Sequence, residues 1–307
     1  MDINVKKILF SFLICLAGLF IVDRCVGWGL SQVKSRVRSI TGEASKIIYT
    51  LSECDQDIVI LGSSRASHGF IPDSIIKWSS KDSINTLTAF NGAVDNQGVL
   101  CQICMAESIL SRHEPKLLII DVYDDEFRWG DQMRTRLERF AHFYDEDETI
   151  RAYLDDLGLA ERIKMQSRMY RYNHKIFGLV SGFLDKTPLF DGYFPLHTVY
   201  SPVPGDSLNY IAGDIPVDDY TLDRFRAFLQ KVQDRQYPVM IVSSPTYYDY
   251  ESAQILSGVC DEYGVPYYDF SSHPLFRHDE RFFKDPIHLN HQGAVAFTKE
   301  FCDTVLR

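Results

Sequence analysis

Short apolar segments alternate with helical patterns along most of this chain. The segments are continuous rather than alternating in polarity, and they lie at 58–61, 84–90, 117–122, 239–243 and 266–270; the first two end at Gly62 and Asn91. Helical spacing follows or precedes them at 98–112, 222–236 and 251–263. Continuous apolar strands separated by helices are typical of a parallel sheet covered on both faces. The pattern predicts a doubly wound α/β domain.

The alternation stops between about residues 126 and 215. Residues 126–184 are charged, aromatic-rich and mostly helical in period, whereas 189–216 contain Pro, Gly, Asp and Tyr without a clear period. We interpret the whole stretch as an insertion after the strand predicted at 117–122. Loops at the carboxyl ends of parallel strands form the ligand sites of open α/β sheets, so this insertion is expected near any active site.

The N-terminus carries a strongly apolar segment. Residues 8–22 contain no charge, Lys6 and Lys7 precede them, and 25–30 are apolar again beyond Asp23 and Arg24. A cleaved signal peptide needs a small-residue site, for which Gly27 and Gly29 are the only weak candidate. An uncleaved anchor with a cytoplasmic N-terminus fits better. We therefore predict a cytoplasmic tail and anchor at 1–30, a stalk or first helix at 31–54, and the main domain at 55–307.

Composition narrows the class of protein. The chain has 307 residues, a net charge of −10 and seven cysteines. Its acidic balance argues against nucleic-acid binding, which depends largely on neutralising phosphates. Cys101 and Cys104 have metal-like spacing, but no second pair accompanies them, and we interpret them as buried thiols of an amphipathic helix. No nucleotide fingerprint or metal cluster is present, so we predict neither metal nor cofactor.

The first candidate for chemistry is the turn after the first predicted strand. Gly62, Ser63 and Ser64 follow 58–61, and a helix is expected behind them. A serine at a helix start is close to backbone N–H groups that favour a developing oxyanion. A Gly-Ser-Ser turn also occurs as a simple helix cap, so this turn alone does not establish a nucleophile.

The second candidate lies near the C-terminus. Asp285 and His288 are separated by Pro286 and Ile287, and Asn290 is placed to cap a last helix. A nucleophilic serine needs a general base, and the base needs a carboxylate that orients it. An Asp-x-x-His loop supplies both groups.

Together these segments resemble the SGNH, or GDSL-like, hydrolase family. The Gly62-Ser63-Ser64 turn resembles the family's first block, and the Asp-Pro-Ile-His-Leu-Asn-His-Gln-Gly segment at 285–293 resembles its last. The similarity covers roughly 55–125 and 235–305. It implies a flavodoxin-like three-layer sandwich, acyl-ester chemistry, and a catalytic triad of Ser64, His288 and Asp285. His68, within the helix behind Ser64, is not expected to be the base.

The middle blocks depart from the family pattern. In the second block, which begins at Asn91, Asn96 replaces a glycine whose N–H contributes to the oxyanion hole. In the third block Asp125 stands where an asparagine donor is expected, and a carboxylate there opposes an oxyanion. The resemblance makes Asn96 and Asn91 our candidates for oxyanion or substrate binding. Arg65 is a further candidate because it follows Ser64 and is placed to hold an anionic group; the commoner role of such an arginine is a salt bridge.

Two classes of function follow from these residues. The first is a serine-dependent acyl-ester hydrolase or O-acyltransferase of the cell envelope, extracytoplasmic and anchored in the cytoplasmic membrane. Its expected substrate is an acylated carbohydrate or small ester, and a membrane acyltransferase is a possible partner, because the anchor and the Gly-Ser-Ser turn resemble proteins of bacterial envelope acylation. The second is a weak or inactive scaffold or glycan-binding protein, which Asn96 and Asp125 favour.

Overall fold

Five parallel strands form the centre of the protein. The computed structural model describes residues 3–79, 87–173, 175–202, 215–248 and 254–306. The strands are β1 (Ile58–Leu61), β2 (Ala89–Asn91), β3 (Leu117–Asp121), β4 (Val239–Ser243) and β5 (Tyr267–Asp269). All neighbours pair in parallel, in the order β2-β1-β3-β4-β5. This is the flavodoxin-like strand order, and the α/β prediction is confirmed. Residues 84–86 of the second predicted strand lie outside the described residues.

The helices cover both faces of this sheet. They are α1 (Ile3–Lys34), α2 (Glu43–Ser52), α3 (Ser64–Gly69), α4 (Pro72–Ser79), α5 (Val99–Arg112), α6 (Asp131–Arg136), α7 (Glu148–Asp156), α8 (Leu159–Lys164), α9 (Ile176–Leu184), α10 (Asp219–Arg235), α11 (Gln254–Tyr263) and α12 (His291–Val305). Short 3₁₀ helices lie at Asp124–Arg128, Leu137–Phe143, Tyr170–Tyr172 and Glu280–Phe282. A two-stranded antiparallel ladder, β6 (Phe283–Asp285) and β7 (His288–Leu289), precedes α12.

Alternate residues of each strand supply two separate cores. Val59 and Leu61 of β1 belong to a cluster that also contains the apolar faces of α2, α5, α7 and α10. Ile58 and Ile60 belong to the opposite cluster, which includes buried residues of α3, α4 and α12. Because successive strand residues point to opposite faces, a run with both faces covered must be apolar throughout. This is the physical origin of the continuous runs in the sequence.

The N-terminal helix is longer than the apolar run that predicted it. Along 8–22 its large apolar side chains are exposed on every side of the helix. Among the described residues, α1 is the helix long and apolar enough to cross a membrane. A helix that is apolar all round and unpartnered within the protein fits a lipid environment.

The chain after the apolar run packs on the domain. The Asp23 carboxylate accepts the backbone N–H groups of Arg168 and Met169, each at 3.0 Å. At Gly27 an added Cβ would lie 2.2 Å from the Arg168 Cβ, so only glycine allows this close approach. Further along, Ile47 and Ile48 of α2 are buried in the core. Of the two alternatives for 31–54, a stalk is therefore wrong, because this segment packs as a first helix of the domain.

The region between β3 and α10 contains α6 to α9. It is not a detached unit, because Ile150, Tyr153 and Leu154 of α7 enter the core beside α5. Residues 185–202 contain neither helix nor strand, as their aperiodic sequence predicted, and 203–214 lie outside the described residues. Within this region, the segment 191–196 lies across the carboxyl end of the sheet and reaches the cavity described below.

Candidate active site

Ser64 is the first residue of α3, and Gly62 and Ser63 separate it from the end of β1. The intervening Gly62 is required by close packing, because an added Cβ would lie 2.5 Å from the Ala66 Cβ and 3.0 Å from the Asp121 Cβ. This tight turn places Ser64 at the carboxyl edge of the sheet, where open α/β sheets bind their ligands. The first N–H groups of a helix have no carbonyl partner within the helix, so the Ser64 N–H lies outside the hydrogen-bond ladder of α3.

Three residues predicted from two distant segments meet at this edge. The Ser64 Oγ lies 2.7 Å from the His288 Nε2, across 224 residues of sequence. The His288 Nδ1 lies 2.9 Å from both carboxylate oxygens of Asp285. The hydroxyl, the imidazole and the carboxylate thus form one continuous hydrogen-bonded chain.

The loop that carries His288 is held by its own polar groups. Oδ1 of Asp285 also accepts the backbone N–H groups of Ile287 at 3.1 Å and His288 at 3.0 Å, which fixes the carboxylate beneath the ring. Asn290 caps α12 by accepting the Gly293 N–H at 3.0 Å, as predicted. At Gly293 an added Cβ would lie 2.0 Å from the Phe282 carbonyl oxygen. These contacts therefore fix Asp285, His288 and Gly293 relative to one another.

The charge on Asp285 determines the direction of proton transfer between Ser64 and His288. Burial raises the pKa of Asp285, but the hydrogen bond and charge of His288, the Ile287 N–H and Lys284 outweigh it and hold the pKa well below its usual value. The ionised carboxylate accepts the Nδ1–H of His288. In the neutral ring the Nε2 lone pair then faces Ser64, which is the arrangement that lets an imidazole accept a hydroxyl proton.

A cavity of about 390 Å³ opens over Ser64 and His288. Its size lies within the range of small-molecule sites, which is about 300–1,000 Å³. Besides the two catalytic candidates, its walls include Arg65, Asn96, Tyr123, Asp125, Glu126, Trp129, Arg136, Leu196 and Lys284. Trp129, Arg136 and Leu196 come from the region predicted as an insertion, which accordingly borders the site.

The oxyanion and substrate-binding candidates fall in different places. Asn96 lines the cavity and has a left-handed backbone, with φ of +56°. Asn91 does not line it: its amide donates to the carbonyls of Ala66 at 2.8 Å and Phe70 at 3.0 Å, and its Oδ1 accepts the Ala93 N–H. The inclusion of Asn91 as a ligand-binding residue is therefore wrong, because its polar atoms are used to join β2 to α3 and to the residue that follows this helix.

Arg65 is buried in the cavity wall, which it shares with Asp125 and Glu126. Its guanidinium carbon lies 3.4 Å from the centroid of the Tyr123 ring, and its Nη1 is buried without a hydrogen-bond acceptor among the described residues. Burial raises the pKa of Asp125, and the charge of Arg65 opposes that rise. Burial also raises the pKa of Glu126 well above its usual value. Asp125 is thus next to a compensating cation rather than isolated in the cavity wall.

Several cavity residues were not predicted from the sequence. Trp129 and Arg136 belong to a segment without a motif, and no local signal distinguishes them from neighbouring residues. His68 also lines the cavity, with its ring centroid 5.9 Å from that of His288. His288, and not His68, contacts the Ser64 hydroxyl, in agreement with the sequence analysis.

The predicted thiols are ordinary core residues. Cys101 and Cys104 are free and buried in α5, and burial raises the pKa of Cys101 to about 11. Within the described ranges, no group of three or more His, Cys, Asp or Glu side chains is arranged to hold a metal ion.

Comparison with known proteins leaves the chain without an assigned family. No protein-family model matches it, and no curated protein matches it. Among solved structures, the chain is similar to an acetyl xylan esterase, with a TM-score of 0.40 and 12% sequence identity, over 81% of this chain and 99% of that one.

Proposed function

We propose that this protein is an SGNH-type, serine-dependent acyl-ester hydrolase or O-acyltransferase that acts on a glycan of the cell envelope or of the extracellular space. The observation that carries the proposal is the hydrogen-bonded chain from Ser64 through His288 to Asp285, with contacts of 2.7 and 2.9 Å. An ionised carboxylate, an oriented imidazole and a hydroxyl in an open cavity are the groups that acyl transfer requires.

The reaction proceeds in two balanced halves. The Ser64 oxygen attacks the carbonyl carbon of a bound ester while its proton passes to the His288 Nε2, and Asp285 stabilises the resulting imidazolium. The ester bond to the leaving alcohol breaks, and the alcohol takes the proton from His288. In the second half, water or a sugar hydroxyl gives its proton to His288 and attacks the acyl carbon. The bond from that carbon to the Ser64 oxygen breaks, and His288 returns the proton to this oxygen, which restores Ser64.

The oxyanion needs N–H donors within hydrogen-bond distance of the carbonyl oxygen of the bound ester. We assign this role to the backbone N–H groups of Ser64 and Asn96, because both residues line the cavity and Ser64 begins a helix. Arg65 balances the charge of Asp125, so the carboxylate that replaces the family's asparagine opposes the oxyanion less than an unpaired one.

Substitution of Asn96 separates a backbone role from a side-chain role. We expect Asn96→Gly to keep ester hydrolysis within about threefold of wild type, since glycine adopts a φ of +56° freely and keeps the N–H. Asn96→Ala should lower the free energy of unfolding by about 1 kcal/mol relative to Asn96→Gly, the cost of left-handed backbone at alanine. A loss of about 100-fold or more in kcat for Asn96→Gly contradicts the backbone assignment, because that is the effect of removing an oxyanion donor.

The alternative function is an SGNH-like scaffold or glycan-binding protein without catalysis. Asp125 is the residue that favours it, because a carboxylate occupies the cavity wall at the position of a family donor. The two functions predict different behaviour of the wild-type protein with p-nitrophenyl acetate. The enzyme releases p-nitrophenol above the buffer rate, and this release is lost in His288→Ala while circular dichroism stays unchanged. A scaffold shows no release.

We propose further that α1 anchors the protein in the cytoplasmic membrane, with the catalytic domain outside the cytoplasm. The support is the exposed apolar surface of 8–22, and Lys6 and Lys7 on the side predicted to be cytoplasmic. Asp23 and Gly27, just beyond that surface, contact Arg168, so the domain begins at the end of the anchor. Such an anchor keeps the cavity close to envelope glycans and to any membrane acyltransferase that supplies an acyl group.

Charges introduced into the anchor test this placement. We expect wild type to float with liposomes, and the double substitution Leu13→Arg with Leu16→Arg to reduce the floated fraction strongly. Each arginine at the centre of a membrane helix costs about 2.5–3.5 kcal/mol. Val295→Arg is the matched control, because Val295 is an exposed apolar residue of α12. Equal flotation of the double variant and the control contradicts the anchor.

A further inference from the structure

A second cavity of about 340 Å³ adjoins the one over Ser64. The two cavities share His68, Asp95 and Leu196 in their walls. The remaining walls come from the start of α2, from residues 93–95 and from the segment 194–196. A ligand that extends from Ser64 past His68 therefore enters a space that the chemistry of the first cavity does not use.

His68 presents one particular nitrogen to this shared wall. Its Nδ1 lies 2.7 Å from the Phe194 carbonyl oxygen, and because a carbonyl only accepts, Nδ1 carries a proton. The other nitrogen, Nε2, lies 3.7 Å from Asp95 Oδ1, which is longer than a hydrogen bond. A ligand hydroxyl placed beside these two atoms has a hydrogen-bonding role in both protonation states of His68. It donates to Nε2 of the neutral ring, or accepts from the protonated ring and donates to Asp95.

Lys46 supplies a second polar group to the same cavity. Its ammonium is buried and donates to the Gly192 carbonyl at 2.8 Å, its one hydrogen bond within the described part of the chain. An ammonium has three N–H donors, so two of them lack an acceptor among the described residues. Burial lowers the pKa of Lys46 to about 7, against the raising effect of Asp95 and Asp191. A buried donor with unused capacity is costly unless a ligand satisfies it.

The walls combine these polar groups with apolar ones. Phe194, Pro195 and Leu196 line the cavity on the side of the segment that crosses the sheet edge, and the Phe194 ring lies 4.9 Å from the Lys46 nitrogen. A sugar has hydroxyls around its rim and apolar C–H faces, which match both kinds of wall. A hydrocarbon chain would offer no hydrogen-bond acceptor to Lys46 beyond the Gly192 carbonyl that it already uses.

We propose that the second cavity is the acceptor site for a carbohydrate, which receives the acyl group from Ser64. One sugar hydroxyl contacts both His68 and Asp95, and another sugar oxygen accepts an N–H of Lys46. A neighbouring hydroxyl then attacks the acyl carbon: the bond from that carbon to the Ser64 oxygen breaks, an ester to the sugar oxygen forms, and the proton passes through His288 to Ser64. The proposal rests on the proposed function and selects transfer from its two outcomes.

Two variants remove the acceptor contacts in different ways. Lys46→Met keeps the length of the buried side chain and removes its donors. His68→Asn keeps an N–H near the Phe194 carbonyl and removes the nitrogen that faces Asp95. Lys116→Met is the control, because Lys116 is an exposed lysine that pairs with Asp57 outside both cavities.

The experiment uses the full chain in detergent, with p-nitrophenyl acetate as donor and methyl β-glucopyranoside and methyl β-galactopyranoside as acceptors. Mass spectrometry measures the ratio of acetylated glycoside to free acetate. We expect wild type and Lys116→Met to acetylate a glycoside equally, and the apparent KM for it to rise about 10-fold in Lys46→Met and in His68→Asn. This is the effect of losing one hydrogen bond to a charged group.

The outcomes distinguish a failure of the acceptor site from a failure of the proposed function. If wild type hydrolyses the ester but acetylates neither glycoside, or if both variants keep the wild-type KM, the acceptor site is wrong and the hydrolase stands. If wild type neither releases p-nitrophenol nor reacts with a fluorophosphonate at Ser64, the proposed function fails and the acceptor site fails with it.

Discussion

Replacement of Ser64 by alanine is expected to abolish both ester hydrolysis and covalent labelling by a fluorophosphonate. The Ser64 hydroxyl is the group in contact with His288 Nε2, so its removal leaves the imidazole without a nucleophile to activate. Loss of the serine in a well-studied hydrolase lowers kcat by about 10⁶-fold. Labelling followed by in-gel fluorescence, together with p-nitrophenol release, measures the effect.

Ser63 offers a matched control for this substitution. It precedes Ser64 in the same turn, lines the same cavity, and makes no side-chain capping hydrogen bond to α3. Ser63→Ala should therefore still be labelled at Ser64, as mass spectrometry of the labelled peptide can show. Equal labelling of wild type and Ser64→Ala, or labelling of neither, means that Ser64 is not the nucleophile.

The sheet and the polar groups at its edge were predictable because their signals are local. β1 and β4 have the bounds that their apolar runs predicted, since a strand covered on both faces needs apolar residues at every position. Asp285 and His288 lie three residues apart in one turn, and this spacing by itself brings them together. Once the strand order is known, Ser64 can also be placed near Asp285 and His288, because it lies at the carboxyl edge of the sheet.

The parts that were missed depend on contacts between distant segments. In the sequence, Asn91 is a polar residue after a predicted strand, but its amide donates to backbone carbonyls of Ala66 in α3 and of Phe70 just after this helix. The second cavity exists because the segment 191–196 is held across the sheet edge, where the Asn91 N–H donates to Asp191 at 2.8 Å and the His291 N–H to Leu196 at 2.6 Å. A segment without helix or strand has no periodic pattern of apolar residues, so its sequence does not indicate where it will lie.

Replacement of Asp285 by asparagine should lower kcat by about 10⁴-fold, the effect of the corresponding change in a well-studied triad. An amide cannot stabilise the imidazolium that forms when His288 takes the Ser64 proton. The amide also presents an N–H to Nδ1 of His288, which favours the tautomer with its proton on Nε2, and this tautomer cannot accept the Ser64 proton. Stopped-flow measurement of p-nitrophenol release separates acylation from deacylation, and we expect both steps to slow.

The same substitution has a pH-dependent effect on stability whose sign follows from the depressed pKa of Asp285. A carboxylate with a folded-state pKa below its unfolded value stabilises the fold above the unfolded pKa of about 3.9, and this contribution disappears as the pH falls through the folded value. The difference in free energy of unfolding between wild type and Asp285→Asn should thus be largest near pH 7 and shrink below about pH 4. Urea denaturation at both pH values measures it.

Asp279→Asn is the matched control for the kinetic measurement. Asp279 accepts the backbone N–H of Arg281 and pairs with its side chain, so the change removes a carboxylate from a neighbouring turn outside the cavity. Its kcat should stay within about threefold of wild type, as for a substitution away from the reacting groups. If Asp285→Asn is as active as this control while it folds normally, the imidazole at Ser64 works without its carboxylate, and the three residues do not act as a triad.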